Sequence, residues 1–125
     1  MTDKLNAFQP YAIAALRIMA ALLYSAHGSQ KLFGFPVAGP ESLSTLALIS
    51  ALLEVGGGIL LVLGLFTRPV AFLLSGHMAF AYFIAHAPQS FYPVANGGDA
   101  SILFSFVFLL LVTTGAGKFA LDNRR

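Results

Sequence analysis

The run from Leu43 to Phe66 constrains this chain more than any other stretch. It is apolar throughout and carries one charge, Glu54, near its middle. About 20 apolar residues suffice for a helix to cross the hydrocarbon core of a bilayer, so the run is long enough to span. An ionised carboxylate at that depth costs several kcal/mol unless it is paired, protonated or wetted. Gly56, Gly57 and Gly58 follow it and present a face without side chains, which another backbone can approach closely. The acid therefore needs partners from elsewhere in the chain, and the glycines offer a place for them.

Composition places those partners in a membrane. Of 125 residues, 58% are hydrophobic and only 10% charged, with a mean hydropathy of +0.81. Soluble domains carry about 25% charged residues, and seven basic plus five acidic side chains cannot clothe a soluble surface. A net charge of +2, dispersed along the chain, does not make a nucleic-acid surface. The absence of cysteine removes disulfides, thiol redox chemistry, iron–sulfur ligation and covalent haem attachment. With no Trp, interfacial anchoring falls to Tyr and Phe.

The pattern predicts an all-α, integral membrane four-transmembrane-helix bundle forming a single domain over 1–125, with helices at about 11–30, 43–66, 70–87 and 100–117. Arg17 interrupts the first run and breaks the short apolar core that a secretory signal peptide needs, so the run reads as a span. Gly34, Pro36, Gly39 and Pro40 punctuate the first loop. Pro69 suits a helix start directly after a tight turn at Thr67-Arg68. Asn96 or Asp99 is placed to cap the last helix. Four spans put both termini on one side. Lys4, Arg68, Lys118, Arg124 and Arg125 fall on that side against Lys31 opposite, so the positive-inside rule puts both termini in the cytoplasm.

Chemistry is expected where polar groups sit at depth. Arg17, Glu54 and His77 lie near mid-span on three different helices, and these are the candidate catalytic residues. At about 100° per residue, Arg17, Tyr24, His27 and Lys31 share one stripe of the first helix. Arg17 is the expected counter-ion of Glu54, because a guanidinium stays charged and binds a carboxylate bidentately. The competing reading is a charge pair that only fixes helix register. His77 extends the pair toward a proton-carrying triad, or is simply bonded to a neighbouring helix. On an unbroken helix His86 lies about 180° from His77 and belongs near Asp99 at the outer surface. Tyr24, His27, Lys31, Gly57, Gly58, Asn96 and Asp99 are the candidate ligand-binding residues. Haem or metal through His27, His77 or His86 lacks any His-x-x-x-His spacing, and no metal site is assigned.

Taken together the chain resembles the DoxX family of small four-helix bacterial inner-membrane proteins, over essentially its whole length. Carrying the resemblance are Arg17, the Gly28-Ser-Gln-Lys31-Leu-Phe-Gly34-Phe35 run, Glu54-Val-Gly-Gly57-Gly58 with Gly64, and Arg68. Asn96-Gly97-Gly98-Asp99-Ala100, Gly115-Ala-Gly117 and Leu121-Asp122 complete it. Asp99 departs from the pattern, where Glu is expected, and its shorter arm alters what it reaches. The resemblance implies membrane redox work: some relatives are similar to the quinone-reducing subunit of a thiosulfate:quinone oxidoreductase, and others are linked to quinone or catechol resistance and oxidative-stress complexes. The expected function is a redox-associated subunit of a quinone-linked oxidoreductase. It would bind quinone or quinol in an outward-facing polar pocket, with the lipid bilayer, a redox partner protein and a second copy of the chain as its candidate partners. The alternatives are a non-catalytic membrane scaffold or a small-solute or proton pathway.

Overall fold

A computed structural model describes residues 2–124, and the described residues form helices and loops without strands. A short helix, α1 (Thr2–Asn6), leads into α2 (Gln9–Phe33), followed by α3 (Thr45–Leu63) and α4 (Thr67–Ala81). The third span continues from α4 through a π turn, Tyr82–His86, and a 3-10 turn, Ala87–Gln89. A single turn, α5 (Pro93–Asn96), precedes α6 (Asp99–Thr114), and a 3-10 turn at Leu121–Arg124 follows. Arg125, counted above for orientation, lies outside the described residues.

Local chemistry sets the ends. Pro10 sits in the first turn of α2, where its missing N–H is no loss, so the helix begins earlier than expected. Gly34 closes it at φ 66°, its N–H bonded to the Gln30 carbonyl. The Ser44 hydroxyl accepts from the Ala47 amide at 3.1 Å and delays the start of α3. Gly64 ends α3 in the left-handed region at φ 69°, short of Phe66. The last helix stops at Thr114, before Gly115 at φ 79°. Neither Asn96 nor Asp99 is its N-cap as expected: that position is Gly98, whose amide donates to Asn96 Oδ1 at 2.8 Å just before the first turn.

Three helical stretches, Thr2–Phe33, Thr45–Leu63 and Thr67–Gln89, are long and apolar enough to cross a membrane. The apolar α6 has 16 residues, about 24 Å of helix. Large apolar side chains such as Leu23, Leu52, Phe72, Phe80 and Phe106 point outward. A soluble monomer does not carry an apolar surface of that extent, whereas a lipid-facing bundle requires it. The chain is an all-helical membrane protein.

The main pairings are α2 with α3 and α4 with α6. The first is fitted by small residues: a Cβ on Gly28 would stand 2.7 Å from the Ala51 carbonyl oxygen, and one on Gly58 would stand 2.6 Å from Ser25 Cβ. Between the pairs lies a core of Tyr24, Leu61, Leu74, Phe108 and Leu111. The connections at residues 34–44 and 90–98 mark the loop end of the bundle, and both chain termini lie at the other, terminal end.

Candidate functional site

The expected pairing of Arg17 with Glu54 does not occur. Glu54 Cβ sits against Gly28, and Gly28 is eleven residues from Arg17 but three from Lys31. At 1.5 Å per residue these are axial offsets of about 16 Å and about 4.5 Å, so register gives the acid to Lys31. Lys31 Nζ lies 2.8 Å from Glu54 Oε1.

Arg17 serves the terminal end instead. It is fully buried, donates through Nε to the Leu61 carbonyl at 2.8 Å, and reaches the carbonyls of Ala116, Lys118 at 3.1 Å and Phe119 at 2.9 Å. The planar guanidinium, with five donors, can serve four acceptors at once. Asp122 secures the same segment by accepting from the Phe66 and Thr67 amides at 2.8 and 2.9 Å. Arg68 likewise takes the Val112 and Thr113 carbonyls at the end of α6. These contacts tie the terminal segment to the first span and spend the guanidinium on backbone carbonyls away from Glu54.

A polar chain runs through the loop half of the bundle. Tyr24 Oη is 2.6 Å from His77 Nδ1, His77 Nε2 is 2.9 Å from Ser50 Oγ, and Ser50 Oγ is 3.4 Å from Glu54 Oε1. Lys31 Nζ also donates to Ser50 Oγ, at 3.2 Å. The donors have one consistent direction. Tyr24 is fully buried and its hydroxyl meets only His77, so it must donate to Nδ1 or bury an unpaired proton. His77 Nε2 then carries the hydrogen and donates to Ser50, and Ser50 donates to Glu54. The result is a neutral imidazole in its Nε2–H form, with every donor pointing toward the carboxylate. His77 therefore reaches Glu54 through Ser50. The sequence reading missed Ser50, although its spacing of four residues from Glu54 places the two side chains on one helix face.

Two cavities adjoin this chain. A groove of about 590 Å³ opens between α3 and α4, with Phe72, Phe80 and Ile84 as apolar walls and Lys31, Ser50 and His77 as its polar side. Beside the groove, a further cavity of about 340 Å³ shares Ile49, Leu53 and Leu73 with it and is lined by apolar residues including Gly56, Gly57, Leu60 and Val70. A chamber of about 330 Å³ lies at the loop end, lined by His27, Lys31, Ser50, Glu54, His86 and Ser101 among others. Lys31 and Ser50 belong to both the groove and the chamber and form the wall between them.

The remaining expected site residues divide. His27 is exposed at the chamber, with Phe104 edge-on to its ring. His86 lines the chamber beside Gly97 and Ala100, whereas His77 lines the groove, so the two do not share a cavity. A π turn advances each residue by about 80° in place of about 100°, so Tyr82–His86 turns His86 roughly 90° from its position on an unbroken helix. Its Nδ1 meets the Asn96 carbonyl at 3.0 Å. Asn96 is a loop-folding residue: its amide nitrogen donates to Tyr82 Oη and the Ser90 carbonyl, and its oxygen accepts from Gly98. Asp99 is exposed and lines neither cavity. Gly58 is consumed by the α2 crossing and Gly57 lies under Leu74, so neither provides room beside Tyr24 or His27. Among the described residues no group of three or more His, Asp or Glu is placed to hold a metal ion.

Comparison with known proteins matches the DoxX family model to residues 12–87. An uncharacterized protein of Haemophilus influenzae is 42% identical over 129 residues, covering 98% of this chain and 96% of its own. Inner membrane protein YphA of Escherichia coli K12 is 30% identical over 131 residues, covering 95% and 94%. No solved structure matches. The matched span takes in the Lys31–Glu54–His77 cluster together with Arg17, and the chain belongs to the DoxX family.

Proposed function

We propose that this is an inner-membrane protein whose groove between α3 and α4 holds the head of a quinone or quinol, and that it works with a partner oxidoreductase. The observation that carries this reading is the groove's make-up: a long apolar slot open to lipid, with a charged donor at one end. The Lys31 ammonium has three hydrogens, of which Glu54 and Ser50 take two. On a stem that can swing toward the groove, the ammonium can turn to meet a carbonyl oxygen, while a lipid tail runs along Leu60 and Val70. His77 and Ser50 supply a flat polar edge beside the ring. The chain has no thiol to carry electrons, so they pass to or from the partner. The inner membrane is supported by the name of the Escherichia coli relative, and a cytoplasmic position for both termini by the basic side chains gathered at the terminal end. Reporter fusions at Arg125 and in the Pro36–Pro40 loop test that orientation, and a reversed result refutes it.

The groove is tested with a short-chain quinone and the purified protein. A ligand that binds only the folded state raises the melting temperature. Lys31→Met weakens that rise. Gly76 lines the groove and has nothing within 4 Å of a built Cβ, so Gly76→Leu fills the slot without a clash. It abolishes the rise while leaving the unliganded melt unchanged or higher. A saturating quinone that leaves wild-type melting unmoved refutes the reading, and a non-catalytic membrane anchor then describes the protein better.

A further inference from the structure

Among the described residues, Lys31 is the only charged side chain that lines both the groove and the chamber. Glu54 lines the chamber and is absent from the groove, whereas Ser50 and His77 face the groove. An oxygen seated in the groove therefore lies across Ser50 from Glu54, and an ammonium that swings to meet it head-on moves away from the carboxylate. The lysine stem is four carbons long and rotates freely, so the group can make that move, which a planar guanidinium fork could not make as easily. Glu54 would then be left 5% exposed in side-chain terms, without a cation and with only the long Ser50 contact. A buried carboxylate in that state is neutralised by a proton if one is within reach. The chamber provides the access. Both bonds of Glu54 fall on Oε1, so Oε2 is left to the chamber side.

We infer that occupation of the groove is coupled to proton uptake by Glu54: the ligand's acceptor oxygen draws Lys31 off the carboxylate, and Glu54 takes a proton from the chamber. The inference rests on the groove being the ligand site proposed above. The other titratable groups around Glu54 are accounted for. From α2, His27 is at the chamber mouth, and Tyr24 acts only through His77. From the third span, His77 has both ring nitrogens bonded, and His86 is tied to Asn96. From α6, the chamber receives Ser101 and Phe104, neither of which titratable, while Asp99 stands exposed outside its lining. Among the described residues, Lys31 alone is in contact with Glu54 as a charge.

Isothermal calorimetry of the full chain with a short-chain quinone tests this, run at one pH in two buffers of different ionisation heat. The expected result is buffer-dependent heat equivalent to uptake approaching one proton per ligand. Correspondingly, Kd rises with pH, by at most about tenfold per unit. Glu54→Gln is expected to bind quinone with buffer-independent heat and a flat pH profile. The wild-type measurement needs no variant, so a poorly folding substitution does not remove the test. Binding with equal heat in both buffers overturns the inference and leaves the groove reading standing. Uptake that persists in Glu54→Gln also overturns it, by assigning the proton to a histidine. Absence of any binding overturns the groove reading, and this coupling with it.

Discussion

Breaking the Lys31–Glu54 pair from its two sides should have unequal effects. The carboxylate side chain is 5% exposed and the lysine side chain 29%. Lys31→Met strands a charge in an almost closed wall, and removing one partner of a buried pair costs about 3 kcal/mol. Glu54→Gln strands a cation on a flexible stem beside the chamber, which can extend toward water. The amide oxygen still accepts a hydrogen bond, so that loss is about 1 kcal/mol. The double replacement removes both charges and should cost well below the sum of about 4 kcal/mol, leaving a coupling of roughly 2 kcal/mol. The assay is a double-mutant cycle on purified protein in mild detergent, followed by thermal or denaturant unfolding at one pH without quinone. Equal single-mutant losses would contradict the burial asymmetry, and additive losses would mean that the two groups do not interact.

Two further outcomes follow from the packing. Arg17→Met leaves three carbonyls between Ala116 and Phe119 unserved, at about 1–3 kcal/mol for each that cannot reach water. In this cysteine-free chain, a single Ala120→Cys probe should become reactive to a thiol reagent in the Arg17→Met background and stay slow beside Arg17; equal reactivity refutes the clasp. The Arg17 and Glu54 losses should add within about 0.5 kcal/mol, since the residues do not meet. Gly28→Ala must push α2 away from the Ala51 carbonyl and should cost about 1–3 kcal/mol, whereas Gly56→Ala meets nothing within 4 Å and should be neutral or stabilising by up to about 1 kcal/mol. Similar melting curves for the two alanine variants would refute the close crossing.

The spans and the burial of Arg17, Tyr24 and Glu54 were legible, because apolar length and helical periodicity are local properties of a sequence. The choice of cation for Glu54 was not. It depends on how far α2 slides along α3, which is set by Gly28 and Gly58 fitting against Ala51 and Ser25 on opposite helices. The glycines were noticed, but their bare faces suit a ligand and a helix equally well until the partner is known. The π turn that ends at His86 was not legible for a similar reason. Tyr82–His86 contains no breaker, and the π turn is held by distant groups: Asn96 bonds Tyr82 and His86, and Gly98 packs against the Tyr82 ring. Ser50 was within reach of simple spacing and was passed over because a lone serine in an apolar run has little signal of its own.

The Arg17 clasp also orders the assembly of the protein in time. The guanidinium belongs to the first span, but three of its acceptors lie 99 to 102 residues later in the chain. At a synthesis rate of about 5–20 residues per second, those carbonyls emerge roughly 5–20 s after the arginine. Until then the first helix carries a charge that the bilayer interior rejects and that the Leu61 carbonyl alone can satisfy only in part. It must wait shallow in the membrane, tilted toward the headgroups or held by the insertion machinery, while α3 and α6 are made. Arrival of residues 116–119 allows the helix to sink to its final depth. A polypeptide that stalls before residues 116–119 would present an unsettled first helix to the proteases that survey membranes.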